Sequence, residues 1–252
     1  MHILVDIGNT NIKWGLCLRH RFALSQIHQL PLCNIAQLWQ TDKKLKPQSL
    51  WVANVAHQDL NAIIRTKSQT YWQLNPIFAQ SEAQADGIDN GYQQPTRLGV
   101  DRWLALIAAH QLYPHENLAV VDCGSAITLD ILTINAQHAQ HQGGLIFAGL
   151  YSLQHTITNI TAGVSAPTQP LAIKSGTIVA QDTQTAVALG AIRMVTAAIE
   201  TTLSSFQPMR CLLTGGDGSK LLPYLDINCE YHPHLVLQGL AYKAKIQCVQ
   251  SF

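Results

Sequence analysis

One short pattern occurs twice in this sequence, and it limits the available folds more than any other property. An apolar strand ends in an aspartate, one residue follows, then a glycine, then a hydroxyl-bearing turn that enters a second strand. The copies are Asp6-Ile7-Gly8-Asn9-Thr10 and Asp122-Cys123-Gly124-Ser125. Residues 2–6 and 118–122 read as the strands before the turns, and 12–18 and 126–133 as the strands after them. In each copy a third, antiparallel strand is available, over 21–30 and at Gly143-Gly144-Leu145-Ile146. A hairpin device used twice predicts two lobes of similar construction.

Helical periodicity lies between and after the hairpins. Over 100–112, Val100, Leu104, Ile107, Ala108 and Leu112 form one apolar stripe, which puts Asp101 and Arg102 at the helix entry, off the buried face. Over 182–205, Ala188, Ile192, Val195, Ile199 and Leu203 form another, with Asp182 or Thr183 as its N-cap. A later strand, Cys211-Leu212-Leu213, ends in Thr214-Gly215-Gly216-Asp217-Gly218. Residues 80–99 are rich in Gly, Asn, Gln and Asp with little periodicity and read as a long loop, a type of segment that often carries function. Strands in hairpins, interleaved with helices, make two α/β lobes joined near 113–117.

Charged residues are 12% of the chain, about half the roughly 25% usual for soluble domains, and the net charge is +1. The 47% hydrophobic content excludes disorder, and no basic stripe exists to neutralise a nucleic-acid backbone. The apolar stretch 118–134 contains Asp122 and Asp130 and falls short of the roughly 20 residues of a membrane span. The start of the chain has no basic leader, and a cytoplasmic protein is expected. The cysteines at 17, 33, 123, 211, 229 and 248 contain no Cys-x-x-Cys pair and read as buried thiols. With eleven Asp and four Glu in all, each well-placed carboxylate is informative.

A Gly-hydroxyl turn can aim backbone N–H groups and a hydroxyl at a phosphate, and the Asp before it can hold a hydrated Mg²⁺ against the same oxygens. The Gly215-Gly216 turn suits close approach to a flat base. Together these make a three-part nucleotide site, in a chain with neither a Gly-x-x-x-x-Gly-Lys-Ser/Thr loop nor a Gly-x-Gly-x-x-Gly fingerprint. Plainer readings stand beside these. Such turns also occur in hairpins without ligands, Lys13 reads equally as a strand-edge charge, Tyr92 as a loop anchor, Asp101 as a helix-start carboxylate and Trp103 as packing. His138, His141, His155, His232 and His234 have no acidic or thiol partner at ligand spacing and read as structural or solvated.

Four motifs, Asp6-x-Gly8-Asn9-Thr10-x-x-Lys13, Gly99-Val100-Asp101-Arg102, Asp122-Cys123-Gly124-Ser125-Ala126 and Thr214-Gly215-Gly216-Asp217, give the chain a resemblance to the type III pantothenate kinases along nearly its whole length. That family belongs to the acetate kinase, sugar kinase, Hsp70 and actin superfamily. The resemblance implies two tandem RNase H-like domains, 1–115 and 116–252, with mixed five-stranded sheets, flanking helices and ATP gripped between two hairpins. It implies ATP-dependent phosphorylation of the primary hydroxyl of pantothenate, the first step of coenzyme A synthesis. Asp101 would be the general base, kept ionised by its place at a helix start. ATP would be bound by Asp6, Ile7, Gly8, Asn9, Thr10, Asn11, Ile12 and Lys13 with Ser125, Asp6 organising Mg²⁺ through water. Asp122 would bind a monovalent cation, K⁺ or NH₄⁺. Pantothenate would meet Tyr92, Gly99, Val100, Asp101, Arg102 and Thr183, with Arg102 pairing with its carboxylate.

Three positions depart from the family pattern: Ser125 stands where Thr is usual, Ala148 where Pro is common, and Asp182-Thr183 replaces an Asn-Thr type pair. The resemblance also implies a homodimer with the substrate site near its interface, and neither a nucleic-acid nor a membrane partner. Two other functions fit the same features: a catalytically silent relative acting as an accessory factor in transcription, and a superfamily kinase for another small hydroxyl compound.

Overall fold

The computed structural model describes residues 1–18, 21–22, 27–39, 46–135, 138–164, 173, 176–206 and 209–244. They form two compact units. Unit 1 comprises Met1–Pro114, Asn135–His141 and His234–Phe252, and unit 2 comprises His115–Ile134 and Gln142–Pro233.

In unit 1 the chain runs through β1 (His2–Ile7), β2 (Asn11–Leu18), β3 (Arg21–Phe22), β4 (His28–Pro31), β5 (Ser49–Asn54), α1 (Asp59–Trp72), β6 (Ile77–Phe78), β7 (Gln84–Ala85), β8 (Ile88–Asp89) and α2 (Val100–Leu112). The sheet order is β3-β2-β1-β5-β6, with β4 also paired to β2. β1 is antiparallel to β2 and parallel to β5, and β5 is parallel to β6. Because β1 is central, both its faces are covered: Ile3, Leu4, Val5 and Ile7 are all buried, and so its apolar run is nearly continuous rather than alternating. The third strand expected over 21–30 is two short strands, with 23–26 outside the described residues. The segment read as a long loop, 80–99, contains the β7–β8 hairpin, whose turn residues Asp86 and Gly87 sit at φ +52° and +83°. Consecutive positive φ values are what a tight primed hairpin turn requires.

Helix α2 spans the predicted residues, but one expectation about it is corrected. Arg102 is 6% exposed rather than facing solvent, because Val100 and the whole run from Arg102 to Ala109 are buried. The helix is covered on more than its apolar stripe.

Unit 2 contains β9 (Leu118–Cys123), β10 (Ala126–Asn135), β11 (His138–Ala148), α3 (Leu150–Ile160), α4 (Thr183–Ser204), β12 (Arg210–Thr214), α5 (Gly218–Leu221) and β13 (Cys229–Tyr231). Its strands lie in the order β13-β12-β9-β10-β11, with β9–β10 antiparallel and β9–β12–β13 parallel. Both sheets share one core order: β3-β2-β1-β5-β6 in unit 1, with β4 set off on β2, and β11-β10-β9-β12-β13 in unit 2, in each case a hairpin whose first strand is continued in parallel by two later strands. Asp182 caps α4, its Oδ1 accepting from the Thr185 N–H at 2.9 Å. By length and composition α4 is apolar enough to cross a membrane, but half of that stretch is buried. Its Ala191, Ile192, Val195, Ile199 and Leu203 belong to the same core cluster as Val121, Ile127 and Leu213.

The first residues of β11 belong to unit 1, where Ala139 and Gln140 pair in parallel with Ile88 and Asp89 of β8. The chain then re-enters unit 1 as α6 (Leu235–Lys243), a segment that the expected 116–252 division assigns to the second domain. The reason is close packing on α2. The Gly239 backbone approaches so near that a Cβ there would stand 1.9 Å from the Leu104 carbonyl oxygen. Lys243 also pairs with Glu82.

Gly239→Ala is therefore expected to lower stability by roughly 1–3 kcal/mol through overpacking, read as a lower urea midpoint at unchanged slope. Gly190 of α4 has nothing within 4 Å of its would-be Cβ, so Gly190→Ala should leave the midpoint unchanged or raise it. Equal midpoints for Gly239→Ala and the parent protein would contradict the close approach.

Candidate active site

The first hairpin turn is tied on three sides. The Gly8 N–H donates to the Asn11 carbonyl at 3.0 Å, Thr10 O accepts from Leu32 N at 2.8 Å, and Ile7 O accepts from Val55 N at 3.0 Å. Asn9 and Thr10 are exposed at its tip, so the turn can offer N–H groups and a hydroxyl to an anion. Asp6 lies directly opposite Lys13 in the β1–β2 register, which puts both on one face of the sheet. His234, at the start of α6, is held below the ordinary imidazole range, chiefly by burial and further by the Lys13 charge. Its Nδ1 is buried without a hydrogen-bond partner.

The second hairpin repeats the device with a shorter turn. Gly124 N donates to Ala126 O at 3.0 Å, and Cys123 pairs with Ile127, whereas Ile7 pairs with Ile12. Ser125 is exposed and Asp122 half-buried. Asp122 stands opposite Thr128 of β10 and Thr214 of β12, so its neighbours in register are hydroxyls where Asp6 has a lysine. Gly215, at φ +84°, lies close by: a Cβ there would fall 2.4 Å from both Asp122 Oδ1 and the Cys123 carbonyl oxygen. Gly149 approaches the turn from below, its would-be Cβ 2.5 Å from Ser125 O. Burial, with Asp122 and Asp217 adding to it, pushes the Cys123 thiol far up, so this cysteine is not a nucleophile.

These donors can be compared with the cations the resemblance implies. Among the described residues no three His, Cys, Asp or Glu side chains gather into a metal site. Magnesium bound mostly through water and phosphate oxygens needs only one or two carboxylates, which Asp6 fits. The converging oxygens of Asp122 and Cys123 against Gly215 fit a monovalent ion with hard-oxygen preference.

A third cluster surrounds the start of α2. The Asp101 Oδ1 accepts from the Arg102 N–H at 2.7 Å, and a Cβ on Gly99 would lie 2.6 Å from that oxygen, so the carboxylate occupies room that only glycine leaves. Arg102 Nη1 donates to the Tyr92 hydroxyl at 2.8 Å, with the guanidinium carbon 5.5 Å from the ring centroid. Tyr92 is placed by Asn90, whose Oδ1 accepts from Tyr92 N at 3.0 Å and whose Nδ2 donates to Glu82 O at 3.0 Å. Its ring stacks on His141, with centroids 5.8 Å apart and planes at 14°. Below, the buried Ser81 hydroxyl donates to Leu98 O at 2.9 Å.

The structure thus brings Tyr92, Gly99, Val100, Asp101 and Arg102 together in unit 1, which also carries Asp6 to Lys13 on the β1–β2 hairpin. Ser125, Asp122 and the exposed Thr183, the first residue of α4, belong to unit 2. Sequence reasoning did not single out Asn90, and it reads His141 as structural or solvated, where the structure buries it against the Tyr92 ring. Asn90 follows the Asp86-Gly87 dipeptide, a hairpin signal that could have ordered the loop. No local signal marks His141, which reaches Tyr92 through the long-range pairing of β8 with β11.

A family model described as type III pantothenate kinase matches residues 2–205. A type III pantothenate kinase of Nitrosococcus oceani is 32% identical, covering 97% of this chain and 94% of that protein. One from Cupriavidus pinatubonensis is 33% identical, covering 94% and 96%. Among solved structures, a putative Baf family transcriptional activator from Campylobacter jejuni superposes with a TM-score of 0.62 at 24% identity, over 96% of this chain and 97% of that one. A putative 2-dehydro-3-deoxygalactonokinase from Sinorhizobium meliloti gives 0.61 at 12% identity, over 97% and 98%. These likenesses in structure identify the fold, an α/β pair of tandem RNase H-like domains.

His234 yields a pH prediction. Its folded-state pKa is depressed, so below the ordinary value near 6.5 the unfolded chain binds the proton first and stability falls as pH drops through that window. His234→Gln should flatten that part of the profile of urea midpoint against pH, while leaving the midpoint above pH 7.5 comparatively unaffected. Parallel profiles for the two proteins would contradict the depressed pKa.

Proposed function

We infer how this chain divides its work from one premise: it belongs to the type III pantothenate kinase family, and it catalyses the ATP-dependent phosphorylation of pantothenate to 4'-phosphopantothenate in coenzyme A biosynthesis. The observation that supports the residue assignments best is the entrance of α2, where a carboxylate and a buried guanidinium lie next to each other beside a tyrosine hydroxyl.

Arg102 would hold the pantothenate carboxylate. A buried guanidinium with a planar fork of donors suits that group, and Tyr92 would fix the angle at which the fork is presented. The primary hydroxyl of pantothenate then faces Asp101, which accepts its proton as the oxygen–phosphorus bond forms and the bond to ADP breaks. Phosphoryl transfer passes through a loose transition state, so a base of ordinary carboxylate strength is adequate and positioning carries most of the rate. Gly99 and Val100 would line this pocket through backbone. Thr183, exposed in the first turn of α4, is proposed as a further pantothenate contact.

The Asp6 to Lys13 hairpin would bind the ATP phosphates through its N–H groups, the Thr10 hydroxyl and Lys13, and Ser125 would offer a second hydroxyl. Magnesium, when bound beside Asp6, supplies neutralisation of charge on the transferring phosphoryl group. Asp122 is proposed as the site of K⁺ or NH₄⁺, which its hydroxyl neighbours Thr128 and Thr214 favour over a protein cation.

A homodimer is proposed as well. Ile146 of β11, Tyr151 and Ile160 of α3, Ile178 and Val179 before α4, and Met194 of α4 are all more than 60% exposed. The α3 and α4 helices pack together, and Arg193 Nη2 donates to Thr177 O at 3.1 Å, which ties the segment carrying Ile178 and Val179 to the helix that carries Met194. An apolar surface of this kind is what a permanent subunit contact covers.

In an assay of ADP release with pantothenate, Mg²⁺ and K⁺, Asp101→Asn is expected to lower kcat by about 10²–10⁴ while the KM for pantothenate changes little. Full-rate turnover by this variant would overturn the assignment of the base. Asp122→Asn should abolish the difference between K⁺ and Na⁺ buffers. A variant that kept the full K⁺ response would move the cation site elsewhere.

A further inference from the structure

We propose that His141 is a positioning residue for substrate binding: its imidazole backs the ring of Tyr92 and holds the phenol oxygen where Arg102 donates to it. The proposal rests on the reading that Arg102 and Tyr92 bind pantothenate.

Tyr92 needs such support because of where it lies. Gly91, Gln93 and Gln94 around it are exposed, and the tyrosine itself is only partly buried. Its backbone is fixed by the Asn90 carboxamide, but rotation about the side-chain bonds would still swing the hydroxyl by several ångströms. Two contacts restrain that rotation. Arg102 Nη1 holds the hydroxyl end at 2.8 Å, and His141 lies nearly parallel to the ring, 5.8 Å away between centroids and 14° between planes.

His141 is well placed for the task because it is itself fixed. It is 1% exposed, and its strand is registered against β8 through Ala139 with Ile88 and Gln140 with Asp89. Asp89 immediately precedes Asn90, so one strand pairing sets both the backbone anchor of Tyr92 and the ring behind it. The Gln140 side chain reinforces this edge by donating to Asp89 O at 3.4 Å and to His141 O at 3.0 Å. A flat ring at position 141 thus defines one wall of Tyr92, and Tyr92 in turn orients the guanidinium.

The test separates positioning from simple core filling. Aromatic pairs of this kind carry energies that correspond to about three- to tenfold in binding. His141→Ala should therefore raise the KM for pantothenate about three- to tenfold, with kcat and the KM for ATP within about twofold of the parent. His141→Phe, which keeps a flat ring, should restore the KM for pantothenate. If the alanine variant does not fold, His141→Gln takes its place, and a raised KM for Gln but not for Phe is the expected result. A folded Ala or Gln variant with unchanged KM, equal rises for ATP and pantothenate, or failure of Phe to restore binding would each overturn the proposal. Arg102→Ala distinguishes the underlying reading. If it leaves the KM for pantothenate unchanged, the substrate site itself is misassigned. If it raises that KM while the position-141 variants do not, only the role of His141 falls.

Discussion

A guanidinium buried in a chain with few charges governs much of unit 1. Removing the Arg102 cation from water costs on the order of several kcal/mol unless its donors are satisfied and the site is well formed. Around it the preceding loop is pinned: Tyr92 supplies an acceptor, Asn90 holds the backbone that carries Tyr92, and Ser81 ties the base of the same loop to Leu98. From the other side, α6 presses on α2 at Gly239 and Leu104 and fixes the height of the helix that bears the arginine. The segment 80–99 is therefore held by polar contacts at Ser81, Asn90 and Tyr92 as well as by the buried side chains of Ile88 and Leu98.

The two hairpins show how one device can acquire two characters. Both begin with an aspartate, and both close their turns with a glycine N–H bonded to a carbonyl at 3.0 Å. The second turn is one residue shorter, and the residues in register with its aspartate are Thr128 and Thr214, in place of Lys13 and Ala53. A carboxylate opposite a lysine can hold a hydrated divalent cation against the same anion that the lysine binds. A carboxylate among hydroxyls and carbonyl oxygens is suited to a small cation. The neighbouring strands, rather than the aspartates themselves, separate the two proposed roles.

Much of this was legible in the sequence because it depends on local rules. The β1–β2 and β9–β10 hairpins follow from apolar runs broken at Asp-x-Gly, α2 and α4 from apolar stripes, and a cap at Asp182 or Thr183 from their place before the stripe, which the structure resolves to Asp182. The burial of Arg102 was not legible, since an apolar stripe says which face of a helix is buried first and not whether the polar face is covered as well. The β7–β8 hairpin was legible in Asp86-Gly87 but was hidden by the polar composition around it. His141 depends on which residues of β8 and β11 are paired, and about fifty residues lie between those strands. The cluster at Tyr92 could be anticipated in part from motif resemblance, but its supporting ring could not.

The return of α6 to unit 1 bears on the order in which the molecule is made. A ribosome releases the chain from its N-terminal end at about 5–20 residues each second. Unit 2 is an almost uninterrupted stretch, His115–Ile134 and Gln142–Pro233, and all of it is synthesised before residue 234. Unit 1 begins first but lacks its second wall for α2 until Leu235–Lys243 has emerged. During synthesis the lobe that starts earlier is thus the one that finishes later, and α2 waits for α6 before its Leu104 side is covered.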